Sequence, residues 1–201
     1  MTNVHRASAG RPREFDLDEA LDCAVEVFWR QGYEATSLAD LTNAMHIGKP
    51  SLYAAFGNKE QLFKKALDRY TEGPGSYAVR AWAKPTARDV IDAFLRGAVE
   101  ATTRPLSPHG CLGVQGALAN SRDGQAAHDL LVEWRDAARV GLEGRFRRAL
   151  EEGDLSPGTD PARLARYIMA VSFGIAVQAA GGAEFDDLIG IVDEVLLHWQ
   201  A

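Results

Sequence analysis

The stretch IGKPSLYAAFGNKEQLF, residues 47–63, gathers two lysines, a serine and a tyrosine between two turns. Lysine ammonium groups attract phosphate by charge, and serine and tyrosine hydroxyls bond phosphate oxygens or base edges. Pro50 suits the first position of a helix and Gly57-Asn58 ends it, leaving about two turns. On that helix Leu52, Ala55 and Phe56 share an apolar face, while Lys49, Pro50, Ser51, Tyr53 and Ala54 share the other. The second face is small and polar apart from one ring, so its backbone could approach base edges in a major groove about 12 Å wide. Tyr53 could bond a phosphate, Lys49 and Lys59 would supply charge at either end, and Pro50 and Ala54 suit a thymine methyl. On spacing alone the same residues also describe a surface helix with incidental lysines.

Other chemistry finds less support. No HExxH, GxSxG or phosphate-binding glycine loop occurs, and the five histidines are scattered. Neither a catalytic residue, a metal site nor a cofactor is expected. A helical enzyme and an adaptor that binds no DNA stand as the alternatives to a DNA-binding regulator. Cys23 and Cys111 are far apart and form no metal-type cluster. Cys111 reads either as a buried small thiol or as a redox sensor, for which only His109 stands nearby.

The elements that would position these residues are all helical. Leu21, Ala24, Val25, Phe28 and Trp29 follow the helical period, with Asp16 as N-cap and Gly32 as the stop. A short second helix carries Leu38, Leu41 and Met45, capped by Thr36 or Ser37. Its first N–H groups offer a phosphate site beside those two hydroxyls. The turn His46-Ile47-Gly48 leads into the lysine-bearing helix, as in helix-turn-helix units. Asn58 and Gln61 cap a fourth helix, and a glycine- and proline-rich linker runs from Gly73 to Pro85. Further helices are expected after Thr86, over about residues 111–121, along a stripe from Leu130 to Leu150, after Asp160, and at the C-terminal end. With no strand alternation, the fold class is all-α, of about nine helices.

The eighth of these contains YIMAVSFGIAVQAA, apolar on every side, so it must be covered all round. It and the ninth, with Ile189, Ile191, Val192, Val195 and Leu196, are expected to pair with their copies in a homodimer. A central helix in a monomeric bundle is the other reading.

The chain of 201 residues has a formal net charge of -6, which argues against a nucleic-acid partner until its distribution is considered. Residues 1–13 hold Arg6, Arg11 and Arg13 and no acidic residue, so a basic arm with Arg11 and Arg13 on DNA is expected. The N-terminus lacks the apolar stretch of a signal peptide, and no apolar run reaches the roughly 20 residues that span a bilayer. A cytoplasmic protein with no membrane partner is expected.

GYEATSLADLTNAMHIGKPSLYAAFGNKEQLF closely resembles the DNA-binding domain of the TetR family of bacterial transcriptional regulators. The resemblance covers about residues 15–70 in its specific motif and the rest in helical layout. It implies a repressor that a small molecule releases from a palindromic double-stranded DNA operator. It also implies that Thr36, Lys49, Ser51, Tyr53 and Lys59 contact DNA. Met45-His46 stands where the family usually has Ala-Gly, and Pro50 where it often has glycine.

The expected organisation is a basic arm (1–14), a helix-turn-helix domain (15–70) and a ligand-binding and dimerisation domain (71–201). Trp82, Phe94, Cys111, Gln115, Trp134, Phe146, Tyr167 and Phe173 are candidate walls of an effector pocket, and each aromatic also fits a plain core position. Gly110, Gly113 and Gly116 would permit close helix contact.

Overall fold

The computed structural model describes residues 15–117 and 124–199, and these form ten α-helices, one 3-10 turn and no strand. Arg11 and Arg13 of the expected arm lie outside the described residues.

Helix α1 (Leu17–Ala35) starts where Asp16 accepts the N–H groups of Asp18 and Glu19 at 2.8 and 3.1 Å. Its regular part stops at Gly32, whose φ of 74° lies in the left-handed region that glycine enters without a Cβ penalty. Helix α2 (Leu38–Ala44) opens with a capping box between Ser37 and Asp40. Helix α3 (Lys49–Phe56) has Pro50 in its first turn. Helix α4 (Lys59–Glu72) opens with the Asn58–Gln61 box.

The glycine- and proline-rich stretch is more structured than expected. A 3-10 turn (Pro74–Ser76) leads into α5 (Tyr77–Trp82), a helix too short to leave a period in the sequence. Helix α6 (Ala87–Thr102) follows, capped by Thr86. The helix expected over residues 111–121 is one turn, α7 (Leu112–Gln115), and residues 118–123 lie outside the described ones. The remainder is α8 (Gln125–Glu151), α9 (Pro161–Ala180) and α10 (Phe185–Leu197).

Two cores hold these helices. The first joins α1 to α4 around Phe28, Phe63 and Tyr70, and takes in Cys111, Leu112 and Leu131 from α7 and α8. The second lies among α6, α8, α9 and α10 around Ile91, Leu142, Phe146, Ile168 and Leu188. The segment around α7 is therefore the piece of the C-terminal part built into the core of the N-terminal helices.

Candidate nucleic-acid interface and effector cavity

Leu52 and Phe56 of α3 are buried in the first core, where α3 packs on α2 and α4. That burial turns Lys49, Pro50, Ser51, Tyr53 and Ala54 outward together, all exposed, with Tyr53 at 49%. The turn before α3 is closed by His46 at φ 54°, a left-handed conformation that a glycine would adopt without strain. The chain thus makes the usual turn while presenting an imidazole where the resemblance leads one to expect no side chain.

Lys59 stands at the start of α4 with its ammonium 4.3 Å from the centre of the Tyr33 ring. A cation over an aromatic face is held electrostatically, so the charge is aimed rather than free. Burial pulls the Lys59 ammonium below its usual pKa, and Glu34 opposes that shift. Lys64 and Lys65, passed over in the sequence, are exposed on α4 and share a surface hollow with Tyr53 and Ala54. The signal for them was present: they follow Lys59 in a helix whose buried face is fixed by Leu62, Phe63 and Ala66.

Two expected phosphate contacts are placed otherwise. Thr36 is only 1% exposed, and its hydroxyl donates to the Gly32 carbonyl at 2.6 Å, bracing the corner between α1 and α2. The Ser37 hydroxyl accepts the Asp40 N–H at 3.1 Å and donates to the Asp40 carboxylate at 2.6 Å. Those hydrogen bonds hold the Asp40 carboxyl below its usual pKa. A carboxylate therefore already occupies the start of α2 where phosphate was expected.

A cavity of about 280 Å³ lies between the end of α4 and helices α5, α6, α8 and α9. Of the candidate wall residues, Trp82, Phe94, Cys111, Trp134 and Phe173 line it, joined by Tyr77, Met169 and Ser172. The other three expected wall residues lie elsewhere. Phe146 is fully buried in the second core, and Tyr167 is 53% exposed on the outer side of α9. Gln115 turns its amide to the His109 carbonyl at 3.4 Å. The Cys111 sulfur accepts the Tyr70 hydroxyl at 3.2 Å, and burial pushes its thiol pKa up, which disfavours the reactive thiolate.

Four hydrogen bonds connect this wall to the N-terminal helices. The Trp134 indole donates to Thr71 of α4 at 2.8 Å, and Tyr70 of α4 donates to Cys111. On α1, the Trp29 indole donates to the Gly110 carbonyl at 3.1 Å, and the Tyr33 N–H donates to the Gly116 carbonyl at 2.8 Å.

Gly113 is the tightest point of that seam, because a Cβ there would lie 2.6 Å from two carbons of the Trp134 ring. Gly113→Ala should displace the ring and break its bond to Thr71. Overpacking of about 1–3 kcal/mol plus about 1 kcal/mol for the bond corresponds to a melting temperature lower by roughly 4–16 °C. Adding Trp134→Leu removes the ring that the methyl meets, so the paired variant should lose less than the sum of the two single ones. Simple additivity in thermal unfolding would mean the two residues do not meet.

Residues 20–66 match the model described as bacterial regulatory proteins, tetR family, and residues 87–181 match a tetracyclin repressor-like C-terminal domain. The chain is 30% identical over 203 residues to the HTH-type transcriptional repressor ComR of Escherichia coli (strain K12), covering 98% of this chain and 95% of that one. It is 32% identical over 191 residues to the HTH-type transcriptional regulator YezE of Bacillus subtilis (strain 168), covering 92% and 96%. Among solved structures, a cysteine mutant of the regulator CifR, complexed with 26-bp double-strand operator DNA, superimposes with a TM-score of 0.90. It shares 41% identity over 94% of this chain and 100% of that one.

Proposed function

Because the chain belongs to the TetR family of bacterial regulatory proteins, and is thus a DNA-binding transcriptional regulator, we propose that it is a cytoplasmic repressor released from its operator by a small molecule. The observation that carries this reading is the joint outward display of Lys49, Ser51 and Tyr53 on α3, with an apolar cavity bonded to the helix that carries the DNA-binding unit. The names of ComR, a repressor, and of CifR, complexed with operator DNA, support it.

The division of labour follows the chain. Residues 15–70 bind DNA, residues 71–201 bind the effector and pair the protomers, and the arm, residues 1–14, adds Arg11 and Arg13 to the DNA contact. Pairing is through α9 and α10. Tyr167, Ala170, Gly174 and Val177 recur at helical spacing along the outer side of α9, with Tyr167 53% and Val177 54% exposed. A two-fold dimer reads an inverted repeat whose half-sites lie about one helical turn apart.

Ser51 and Lys49 would read bases, Tyr53 and Lys59 would hold phosphates, and Pro50 and Ala54 would pack on a thymine methyl. Lys64 and Lys65 extend the phosphate contact along α4. Thr36 and Ser37 would act through the shape of the corner they brace. Lys59→Ala should weaken binding to operator and random duplex alike and lower the salt slope by about one phosphate contact. Ser51→Ala should instead change the preference among bases. Fluorescence anisotropy against salt on both duplexes separates the two, and equal losses on both for Ser51→Ala would overturn the assignment of a reading residue.

Release would run through the four bonded contacts. An effector that displaces Trp134 or the 110–116 segment shifts α4 at Thr71 and α1 at Trp29 and Tyr33, altering the separation of the two reading helices. Its influence equals its differential affinity for the two states, commonly about 1–3 kcal/mol.

A further inference from the structure

The chemistry of the cavity wall restricts what can enter it. Among the described residues no charged side chain lines it, so a charged ligand would lose its hydration without gaining a partner there. At about 280 Å³ it sits at the lower end of small-molecule sites, which run from about 300 to 1,000 Å³. Its aromatic rings offer stacking and apolar contact to a flat or compact molecule.

Of the polar groups on the wall, the two threonine hydroxyls have no hydrogen left to give, whereas Tyr77, Ser172 and Trp82 can still donate. Thr71 spends its hydroxyl hydrogen on the Leu67 carbonyl at 2.7 Å while accepting from Trp134, and Thr102 spends its own on the Ala98 carbonyl at 2.7 Å. The Tyr77 phenol and the Ser172 hydroxyl, the latter on a residue only 5% exposed, line the cavity close enough for Ser172 to pull the phenol's pKa down against the upward push of burial. Two neighbouring hydroxyls can satisfy at most one of their two hydrogens on each other, so the pair keeps one to give. The Trp82 indole N–H is buried and has no acceptor among the described residues. Tyr77 is also fixed in place: Gly97 of α6 lies so close that a Cβ there would be 2.8 Å from its ring, and Phe94 packs with its centroid 5.6 Å away. A donor held on a rigid ring in an apolar cavity selects for an acceptor, because an unmatched buried polar group is penalised.

We propose that the effector is a neutral, mostly apolar molecule of less than drug size whose single acceptor oxygen takes the spare hydroxyl hydrogen of the Tyr77–Ser172 pair. This rests on reading the cavity as the effector site. The test uses three probes of one shape: 2-acetylnaphthalene, which has an acceptor, 2-isopropenylnaphthalene, which has none, and 2-naphthoate, which is charged. Binding to the full chain is followed by tryptophan fluorescence and calorimetry.

The ketone should bind about tenfold tighter than the alkene, and the carboxylate should not bind detectably. Tyr77→Phe, which keeps the ring against Gly97, should erase the ketone's advantage and leave alkene affinity unchanged. Ser172→Ala serves the same purpose if the first variant does not fold. Equal binding of ketone and alkene to the wild type, or tightest binding by the carboxylate, overturns the proposal while leaving the cavity as a binding site. Failure of all three to bind overturns the effector-site reading itself.

Discussion

Gly174→Glu should convert the dimer into a folded monomer and lower operator affinity by about 10²–10⁴, the gain that linking two half-site contacts supplies. Gly174 lies on the outer stripe of α9 between Ala170 and Val177, and nothing comes within 4 Å of a Cβ built there. The new side chain therefore strains nothing in the protomer. Replacing a helical glycine should even stabilise α9 by about 0.5–1 kcal/mol. In a two-fold interface the change enters twice, so two carboxylates would be desolvated in one apolar contact. Three measurements together carry the argument: unchanged helix content by circular dichroism, a halved mass by sedimentation, and the fall in operator affinity. A variant that still sediments as a dimer at micromolar concentration would place the interface elsewhere.

The N-terminal helices were legible because each local signal there agrees with the packing. Asn58 and Gln61 announce α4, Ser37 marks α2, and the period of Ala24, Val25, Phe28 and Trp29 coincides with the buried face of α1. Legibility failed where tertiary contacts replace periodicity. Helix α5 has six residues and sits between a Gly-Pro-Gly turn and Pro85, so its residue Tyr77, which lines the cavity, looked like linker. The 110–116 segment is ordered by bonds to Trp29, Tyr33 and Tyr70 rather than by helical propensity, and such bonds leave no spacing to read. Phe146 and Tyr167 show the same limit from the other side. Both belong to apolar stripes, yet one turns into the second core and the other out of the protomer. Thr36 was a residue of the right type in the right place whose hydroxyl is bonded to Gly32.

Phe63→Ala should destabilise the protein by about 3–5 kcal/mol and abolish operator binding while leaving the dimer assembled. The Phe63 ring is fully buried, meeting Phe28 edge-on at 5.0 Å and Tyr33 at 5.1 Å. It is thus a contact through which α4 holds the C-terminal end of α1. Truncation would leave a cavity beneath that end and remove aromatic contacts worth about 0.5–1.5 kcal/mol beyond area burial. The damage should spread to the site, because Tyr33 carries the Lys59 ammonium on its ring and donates its N–H to the Gly116 carbonyl. Loosening Tyr33 releases both the aimed charge and the seam to the effector cavity. The second core, around Ile91, Phe146, Ile168 and Leu188, contains none of these residues, so the paired helices α9 and α10 should keep their contact. Hydrogen exchange should accordingly rise across residues 17–72 and stay slow in α9, with the sedimentation mass unchanged. Retained operator affinity, or a loss of stability below about 1 kcal/mol in chemical denaturation, would show that Phe63 is not the keystone of the DNA-binding unit.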